Sequence, residues 1–258
     1  RRKKIVRIIT LVNIYECICV REIKDAFETV KDLEKIGVKS KSFPITKCNY
    51  KTIPNYKIKY DFILLTSAKS ITIFIRFINL YKKIHNKIPK IFVVGIETAN
   101  ALKKNSYDDF FVSEGNSKSL SELVISNTKI YSKGLWLCGL HRKRVLRKKL
   151  LENKRFLKEN IVYEMAFRDL SKNLQIDENE CFSNNAFIVN SSRNIKLLTK
   201  TLYKLKTFKI FLKKSKIFCM STDIKEEALS LGWKNILILK KNSRKSFLKE
   251  VKMILDSN

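Results

Sequence analysis

The chain has 258 residues, of which 45% are hydrophobic and 10% aromatic, enough to build packed cores and to exclude global disorder. A formal net charge of +30 favours an anionic ligand or partner, although a compositional bias of the coding sequence would produce the same excess of lysine. The six cysteines and two histidines lack the spacing of a zinc site, and no apolar run reaches the roughly 18 residues of a membrane span.

The N-terminal segment predicts a strand, a helix, a second strand and a connector. After a basic extension at 1–15, a strand is expected around 17–20, and Gly37 is placed to end the helix that follows. In that helix, apolar residues recur at i, i+3, i+4, i+7 and i+10, namely Ile23, Ala26, Phe27, Val30 and Leu33. The second strand runs toward Pro44, and the segment 46–59 has no helical stripe and is typical of a connector.

From residue 61 onward, short apolar strands alternate with helices. Strands are predicted at 61–65, 90–95, 110–112, 134–139 and 160–167, and helices at 70–83, 98–103, within 114–124 and at 141–153. The polar residues 170–183 predict a second connector. Because a crossover helix must carry each parallel strand back to the same edge, this alternation predicts parallel sheets.

The second half of the chain repeats the first half in the same order. "FILLTSAKSITIF" (62–74) corresponds to "AFIVNSSRNIKLL" (186–198), and "KIFVVGIETANALKKN" (90–105) corresponds to "KIFCMSTDIKEEALSLGW" (216–233). "EGNSKSLSELV" likewise corresponds to "KKNSRKSFLKEV". The predicted fold class is therefore α/β, with two similar open parallel-sheet domains flanked by helices.

Small and hydroxyl-bearing residues follow the strands in both halves. Ligands of open parallel sheets collect at the carboxyl ends of the strands, where free N–H groups of helix N-termini bind carboxylates or phosphates. Each such residue alone is equally well explained as a helix cap. As a set along one edge of two domains, they favour a cleft that binds an anion. The set comprises Thr66, Ser67, Gly95, Thr98, Asn190, Ser191, Ser192 and Ser221.

Few residues are suited to acid–base or nucleophilic catalysis. The chain has two histidines, no G-x-S-x-G motif and no glycine-rich phosphate loop, which argues against hydrolase, kinase or dehydrogenase chemistry. We therefore expect either a binding protein or an enzyme whose reaction depends on positioning.

The ordered motifs of the chain together resemble the uroporphyrinogen-III synthase family from about residue 16 to 255. The resemblance depends on "CVREIKDAFETVKDLEKIGV", "YDFILLTSAKSI" and "VVGIETANAL", and on "EGNSKSL", "IVYE" and "CMSTDIKEEAL". It implies a discontinuous first domain of residues 16–40 and 168–258, a second domain of 57–162, and two linker strands at 41–56 and 163–167.

The resemblance also implies a chemistry that fits the sparse catalytic inventory. A lyase of this family cyclises hydroxymethylbilane with inversion of the terminal pyrrole ring and loss of water, in haem and tetrapyrrole biosynthesis, without a cofactor. It acts in the cytoplasm as a monomer, with possible hand-over of its substrate from hydroxymethylbilane synthase and with no membrane or specific nucleic-acid partner. Tyr163 is the candidate acid for the departing hydroxyl, and the alternative is a tyrosine that only packs at a hinge. The implied substrate-binding residues are Arg21, Thr66, Ser67, Lys69, Gly95, Thr98, Gly139, Asn190, Ser191, Ser192 and Ser221, with Arg193 as a further anion contact.

Several positions depart from the family pattern. The family usually has Asn where Lys69 stands, Thr where Asn190 stands and Gly where Ser221 stands. The arginine of the turn after 134–139 corresponds to Arg142 or Arg144. Three other readings stay open: a member of the family that has lost activity, a nucleic-acid-binding protein suggested by basic runs such as "HRKRVLRKK", and a protein that only captures an anionic solute.

Overall fold

The computed structural model describes residues 16–114, 117–142, 145–168, 170, 185–239 and 244–257. The chain divides into two compact units, and it crosses between them twice. Unit 1 comprises Arg1–Lys47 and Phe167–Asn258, and unit 2 comprises Cys48–Ala166. Among the described residues, every helix is too short or too polar to span a bilayer.

The strands and helices alternate along both units, which confirms the predicted α/β class. The strands are β1 (Glu16–Glu22), β2 (Ser40–Tyr50), β3 (Phe62–Leu65), β4 (Lys90–Val94), β5 (Phe111–Ser113), β6 (Lys133–Gly139), β7 (Phe156–Phe167), β8 (Asn185–Val189), β9 (Lys216–Cys219) and β10 (Asn235–Ile238). The helices are α1 (Ile23–Glu34), α2 (Ile71–Lys82), α3 (Gly95–Lys103), α4 (Ser117–Asn127), α5 (Val145–Glu152), α6 (Ser192–Leu202), α7 (Phe208–Lys214), α8 (Thr222–Ser230) and α9 (Arg244–Asp256), with a short 3-10 helix at Ala68–Ser70.

Unit 2 is a parallel sheet in the order β7-β6-β3-β4-β5. Leu65 of β3 is in register with Val93 of β4 and with Leu137 of β6, so these strands end at one edge. Successive β3 residues enter different apolar clusters: Leu65 packs with residues of α2 and α3, whereas Leu64 packs with residues of α4 and α5. Both faces of the sheet are therefore covered by helices, which is why β3 is apolar throughout rather than alternating.

Unit 1 repeats this design in the order β10-β9-β8-β1-β2, with parallel pairs throughout. The N-terminal strand β1 lies between β2 and β8, so the start of the chain completes a sheet built mainly from its C-terminal part. Residues of α6, α7 and α8 cover one face, and residues of α1 and α9 cover the other. Trp233 is fully buried on the first of these faces, where its Nε1 donates a hydrogen bond to Thr199 Oγ1 at 2.9 Å.

The two segments that cross between the units are extended and antiparallel. In unit 2, Lys51 N donates to Val162 O at 2.9 Å, and in unit 1, Arg168 N donates to Ile45 O at 3.0 Å. The strand β2 therefore continues to Tyr50, through the first residues of the predicted connector 46–59. The residue pattern gave no sign of this strand, which only the family resemblance implied, because backbone hydrogen bonds rather than an apolar face hold it in place.

Other element boundaries differ from the predictions at specific turns. The helix expected from 98 begins instead at Gly95, whose φ of +74° lets the chain turn directly out of β4. The helix expected at 141–153 begins at Val145, and the strand expected at 160–167 begins at Phe156. Gly37 lies just beyond α1 with a φ of +78°, as expected for a glycine that ends a helix. Most of the predicted connector at 170–183 lies outside the described residues.

Candidate functional site

The turn after β3 places the Thr66 and Ser67 hydroxyls at the carboxyl edge of the unit 2 sheet. Ser67 is extended (φ −160°), and its Oγ accepts a hydrogen bond from Lys69 N at 3.2 Å, so it caps the short 3-10 helix. Thr66 Oγ1 accepts a hydrogen bond from Nε1 of the buried Trp136 at 3.1 Å. Each hydroxyl keeps its own proton to donate because each accepts in these contacts.

Tyr163 on β7 lies beside this turn, and the Ser67 side chain is close enough to affect the pKa of its phenol. Its ring is half-buried and packs against the apolar cluster that contains Leu65. Gly139 at the end of β6 is its neighbour across the strand pair: a Cβ at Gly139 would lie 2.7 Å from Cζ of Tyr163. The phenol is therefore held between a glycine backbone and a serine hydroxyl, with only part of its surface open.

Burial is the main cause that raises the pKa of Tyr163 above the usual tyrosine value. The Ser67 side chain and the positive charge of Lys69 oppose the rise in pKa, whereas the neighbouring thiols of Cys48 and Cys138 add to it. A phenol with a raised pKa is fully protonated at neutral pH. Tyr163 can therefore act as a proton donor there, and it is unsuited to act as a base.

Sequence reasoning missed two residues of this cluster, Cys48 and Tyr50 on β2. The Tyr50 hydroxyl lies 3.3 Å from Thr72 Oγ1 in the first turn of α2, and burial raises the pKa of Tyr50. Cys48 raises the pKa of Tyr50 and the charge of Lys69 lowers it, and both residues act in the same directions on the pKa of Tyr163. No motif marked these residues, because a strand within an otherwise polar connector carries no periodic signal.

Gly95 and Thr98 have different surroundings in α3. Gly95 is the first residue of the helix, and a Cβ there would meet no atom within 4 Å, so the backbone is open to a ligand. The Thr98 side chain is buried inside unit 2, at 3% exposure. Because it is buried, its hydroxyl is inaccessible to a polycarboxylate, and Thr98 is not a candidate substrate contact.

In unit 1, a second set of helices starts at the ends of β8 and β9. These two strands are paired, and Val189 of β8 lies opposite Cys219 of β9. Ser191 caps α6 by accepting a hydrogen bond from Asn194 N at 3.2 Å, and Ser192 Oγ donates to Asp223 O of α8 at 3.4 Å. Ser221 is the N-cap residue of α8, but its side chain accepts no capping hydrogen bond. Capping therefore does not explain the presence of a hydroxyl at Ser221.

Three further side chains of unit 1 lie near these strand ends. The Asn190 Oδ1 atom is buried and has no hydrogen-bond partner among the described residues. Arg21, close to the end of β1, donates to Thr29 Oγ1 at 3.2 Å and lies 3.7 Å from the Asp25 carboxylate. Arg193 is half-buried in the first turn of α6.

Arg142 is engaged within unit 2 rather than held out toward a ligand. Its Nε donates to Glu159 Oε2 at 2.8 Å, and the two side chains form an ion pair. The alternative candidate, Arg144, lies outside the described residues. Among the residues that the structure describes, no group of three or more His, Cys, Asp or Glu could hold a metal ion.

Comparison with known proteins agrees with the fold. The family model described as "Uroporphyrinogen-III synthase HemD" matches residues 28–249. A uroporphyrinogen-III synthetase structure from Helicobacter pylori is similar with a TM-score of 0.63 at 14% identity, covering 93% of this chain and 99% of that one. A mutant uroporphyrinogen III synthase from the extremely thermophilic bacterium Thermus thermophilus gives a TM-score of 0.59 at 14% identity, covering 95% and 100%.

No curated protein sequence matches the chain significantly. At these identities the structural similarity establishes the fold, and the family model, which spans well over half of the chain, establishes the family. The chain belongs to the uroporphyrinogen-III synthase family.

Proposed function

We propose that the chain is a uroporphyrinogen-III synthase, a lyase that converts hydroxymethylbilane to uroporphyrinogen III with loss of water. The observation that carries this proposal is the family match over residues 28–249. The half-buried, protonated phenol of Tyr163 at the carboxyl edge of a parallel sheet supports it, since it supplies an acid where ligands of such sheets bind.

The substrate is a flexible polyanion that carries acetate and propionate groups. In unit 2, its carboxylates contact the turn after β3 and the open backbone at Gly95, and in unit 1 they contact the helix starts at the ends of β8 and β9. Helix N-termini contribute roughly 0.3–1 kcal/mol per charge. The proposed contacts are Arg21, Thr66, Ser67, Lys69, Gly95, Gly139, Asn190, Ser191, Ser192, Arg193 and Ser221.

Tyr163 acts as the acid that starts the reaction. Its phenol protonates the hydroxyl of the hydroxymethyl group, the C–O bond breaks, and water leaves with the formation of an electrophilic azafulvene. The terminal ring attacks through its already substituted carbon and forms a spiro intermediate. The bond from the spiro carbon to the methylene bridge of the neighbouring ring then breaks, and this methylene carbon bonds to the other α-carbon of the terminal ring, which is thereby inverted. Loss of the proton on that carbon restores the aromatic pyrrole, so that the phenolate regains a proton and no net charge is left.

Positioning accounts for the choice of isomer. Uncatalysed closure gives the symmetric type I product, so the enzyme must hold the chain in the geometry that favours attack by the substituted carbon. Orientation of this kind is equivalent to about 10⁵–10⁸ M effective concentration and needs no strong general base. This requirement agrees with a sequence that has only two histidines.

We also propose a partner and a compartment for the enzyme. Because hydroxymethylbilane closes spontaneously, we expect direct hand-over from hydroxymethylbilane synthase to a monomeric enzyme in the cytoplasm. Free thiols at Cys17, Cys19, Cys138 and Cys219, all buried, support a reducing compartment. Sedimentation of the purified chain, alone and mixed with hydroxymethylbilane synthase, tests the monomer and the hand-over complex.

One assay tests the proposed function. The purified chain is incubated with freshly made hydroxymethylbilane, and the products are separated into type III and type I uroporphyrinogen. We expect type III to dominate at catalytic amounts of enzyme. A product mixture identical to that of the uncatalysed reaction would refute the proposal and leave an inactive member of the family, or a protein that only binds anions.

A further inference from the structure

The guanidinium of Arg142 joins the turn after β6 to the strand β7. Its Nε donates to Glu159 Oε2 at 2.8 Å, its Nη2 donates to the same oxygen, and its Nη1 donates to Leu140 O at 3.1 Å. The Glu159 side chain is only 10% exposed, and that of Arg142 is 22% exposed. Shielded, hydrogen-bonded pairs of this kind hold their geometry much better than ion pairs in open solvent.

The two partners of this guanidinium, Glu159 and Leu140, both adjoin Tyr163: Glu159 lies on the same strand, and Leu140 lies in the turn beside it. Leu140 N donates to Tyr163 O at 3.0 Å, so the turn is bonded to the tyrosine backbone as well as to the arginine. The register of β6 and β7 shifts here: Cys138 is opposite Ile161, but Gly139 is opposite Tyr163. The shift is a bulge of one residue, and bulges re-aim the side chains beside them.

We propose that the Arg142–Glu159 ion pair is a positioning device for Tyr163. It holds the Gly139–Leu140 turn against β7, preserves the bulge and thereby keeps the phenol beside Ser67. Arg142 is thus a positioning residue whose donors are used inside unit 2, not a contact for the substrate. This inference rests on the function proposed above, in which Tyr163 is the acid.

The chain contains a matched control for this pair. Lys149 of α5 and Glu122 of α4 form an ion pair of 3.0 Å in the same unit, with side chains 30% and 56% exposed. It joins two helices, and the bonds of its two side chains among the described residues do not involve the turn after β6. The substitution Glu122→Gln therefore removes the same kind of charge without touching the turn.

The kinetic experiment compares Glu159→Gln with Glu122→Gln under saturating and limiting substrate. Misplacement of an acid by a fraction of an ångström to 1 Å costs about 10- to 100-fold in rate, so we expect kcat of Glu159→Gln to fall by that factor. KM should stay within about twofold of wild type, because only Gly139 among the proposed substrate contacts lies in the turn that the pair holds. Glu122→Gln should match wild type in both constants.

A second measurement records geometry without any turnover. In the wild type, the nuclear Overhauser effect between the Gly139 Hα atoms and the Tyr163 ring protons reports the close approach of the two residues. We expect it to weaken strongly in Glu159→Gln and to persist in Glu122→Gln. If the wild type makes no type III product, the proposed function fails, yet this comparison still decides whether the ion pair positions the tyrosine.

Arg142→Lys provides an independent variant, because a lysine keeps the charge opposite Glu159 but cannot form the fork that also reaches Leu140 O. We expect it to lose kcat and the Gly139–Tyr163 contact as Glu159→Gln does. Folded variants with wild-type kcat and an intact contact would overturn the proposal. Failure of both variants to fold would also overturn it, since the pair would then be a requirement of folding rather than a positioning device.

Discussion

Gly139 and Tyr163 approach so closely that any side chain at the glycine would displace the tyrosine ring: a Cβ there would lie 2.7 Å from Cζ and 2.9 Å from the hydroxyl oxygen of the tyrosine. The φ of Gly139 is not in the left-handed region, so the glycine is needed for space and not for its backbone freedom. The missing side chain is what lets the phenol lie against the end of β6.

We expect Gly139→Ala to displace the phenol and to lower kcat by about 100-fold, because the ring cannot move away from Cβ and stay beside Ser67. Steady-state turnover of hydroxymethylbilane measures the effect. The control is Gly139→Ala in a Tyr163→Phe background, where the alanine should cause little further loss. An equal loss in both backgrounds would mean that the glycine acts independently of the phenol.

Tyr163→Phe should lower kcat by about 10²- to 10⁴-fold, the usual contribution of a general acid, while KM changes little. The wild-type rate should fall only at alkaline pH, because the active form is the protonated phenol and burial raises its pKa above the usual value of about 10. The alkaline fall should be absent from the variant. Unchanged turnover of Tyr163→Phe would dismiss the acid role.

Alanine substitutions of Ser191 and Ser221, at two helix starts of unit 1, distinguish a capping role from a substrate-binding role. Ser191→Ala removes the acceptor of Asn194 N and should lower the free energy of unfolding by about 1 kcal/mol. Ser221→Ala removes no capping bond, so stability should stay within about 0.5 kcal/mol of wild type while KM rises. Denaturant unfolding and steady-state kinetics test both variants, and an unchanged KM of Ser221→Ala would exclude Ser221 as a substrate contact.

Thiol alkylation should distinguish Cys48 from Cys138. Burial raises the pKa of Cys138 to about 11, with the neighbouring Glu159 adding to the rise and Arg142 opposing it, so this thiol is neutral and unreactive near pH 8. Cys48 is only half-buried and should react first with iodoacetamide. Peptide mass spectrometry over time measures both rates. Labelling of Cys138 faster than Cys48 would show that the end of β6 opens to solvent.

Local patterns were sufficient for much of the architecture. The apolar spacing from Ile23 to Leu33 predicted a helix, and α1 spans Ile23–Glu34. Val30 and Leu33 of that stripe pack on one face of the unit 1 sheet, whereas Phe27 is exposed. The turn residues Ser67 and Ser191 were expected as caps or ligand contacts, and both accept capping hydrogen bonds. Their roles as substrate contacts stay predictions.

Other parts of the candidate site left no local signal. Tyr50 and Cys48 lie on a strand held by pairing with β7, in a segment without any periodic pattern. Thr98 had the residue type of a ligand contact, but α3 begins three residues earlier than expected and turns its side chain into the core. Burial of one polar side chain depends on the helix phase, which residue type alone does not specify.

The amino-acid sequence by itself determined the alternation of strands and helices, the repeated strand–turn–helix units and the resemblance to one family, because hydrophobic spacing and turn chemistry are encoded by residues close together in the chain. Only the tertiary structure decided that Gly139 faces Tyr163 and that Arg142 bonds to Glu159. Those contacts depend on which strands are neighbours and on a one-residue shift in their register, and a shift of this kind arises only when distant segments pair.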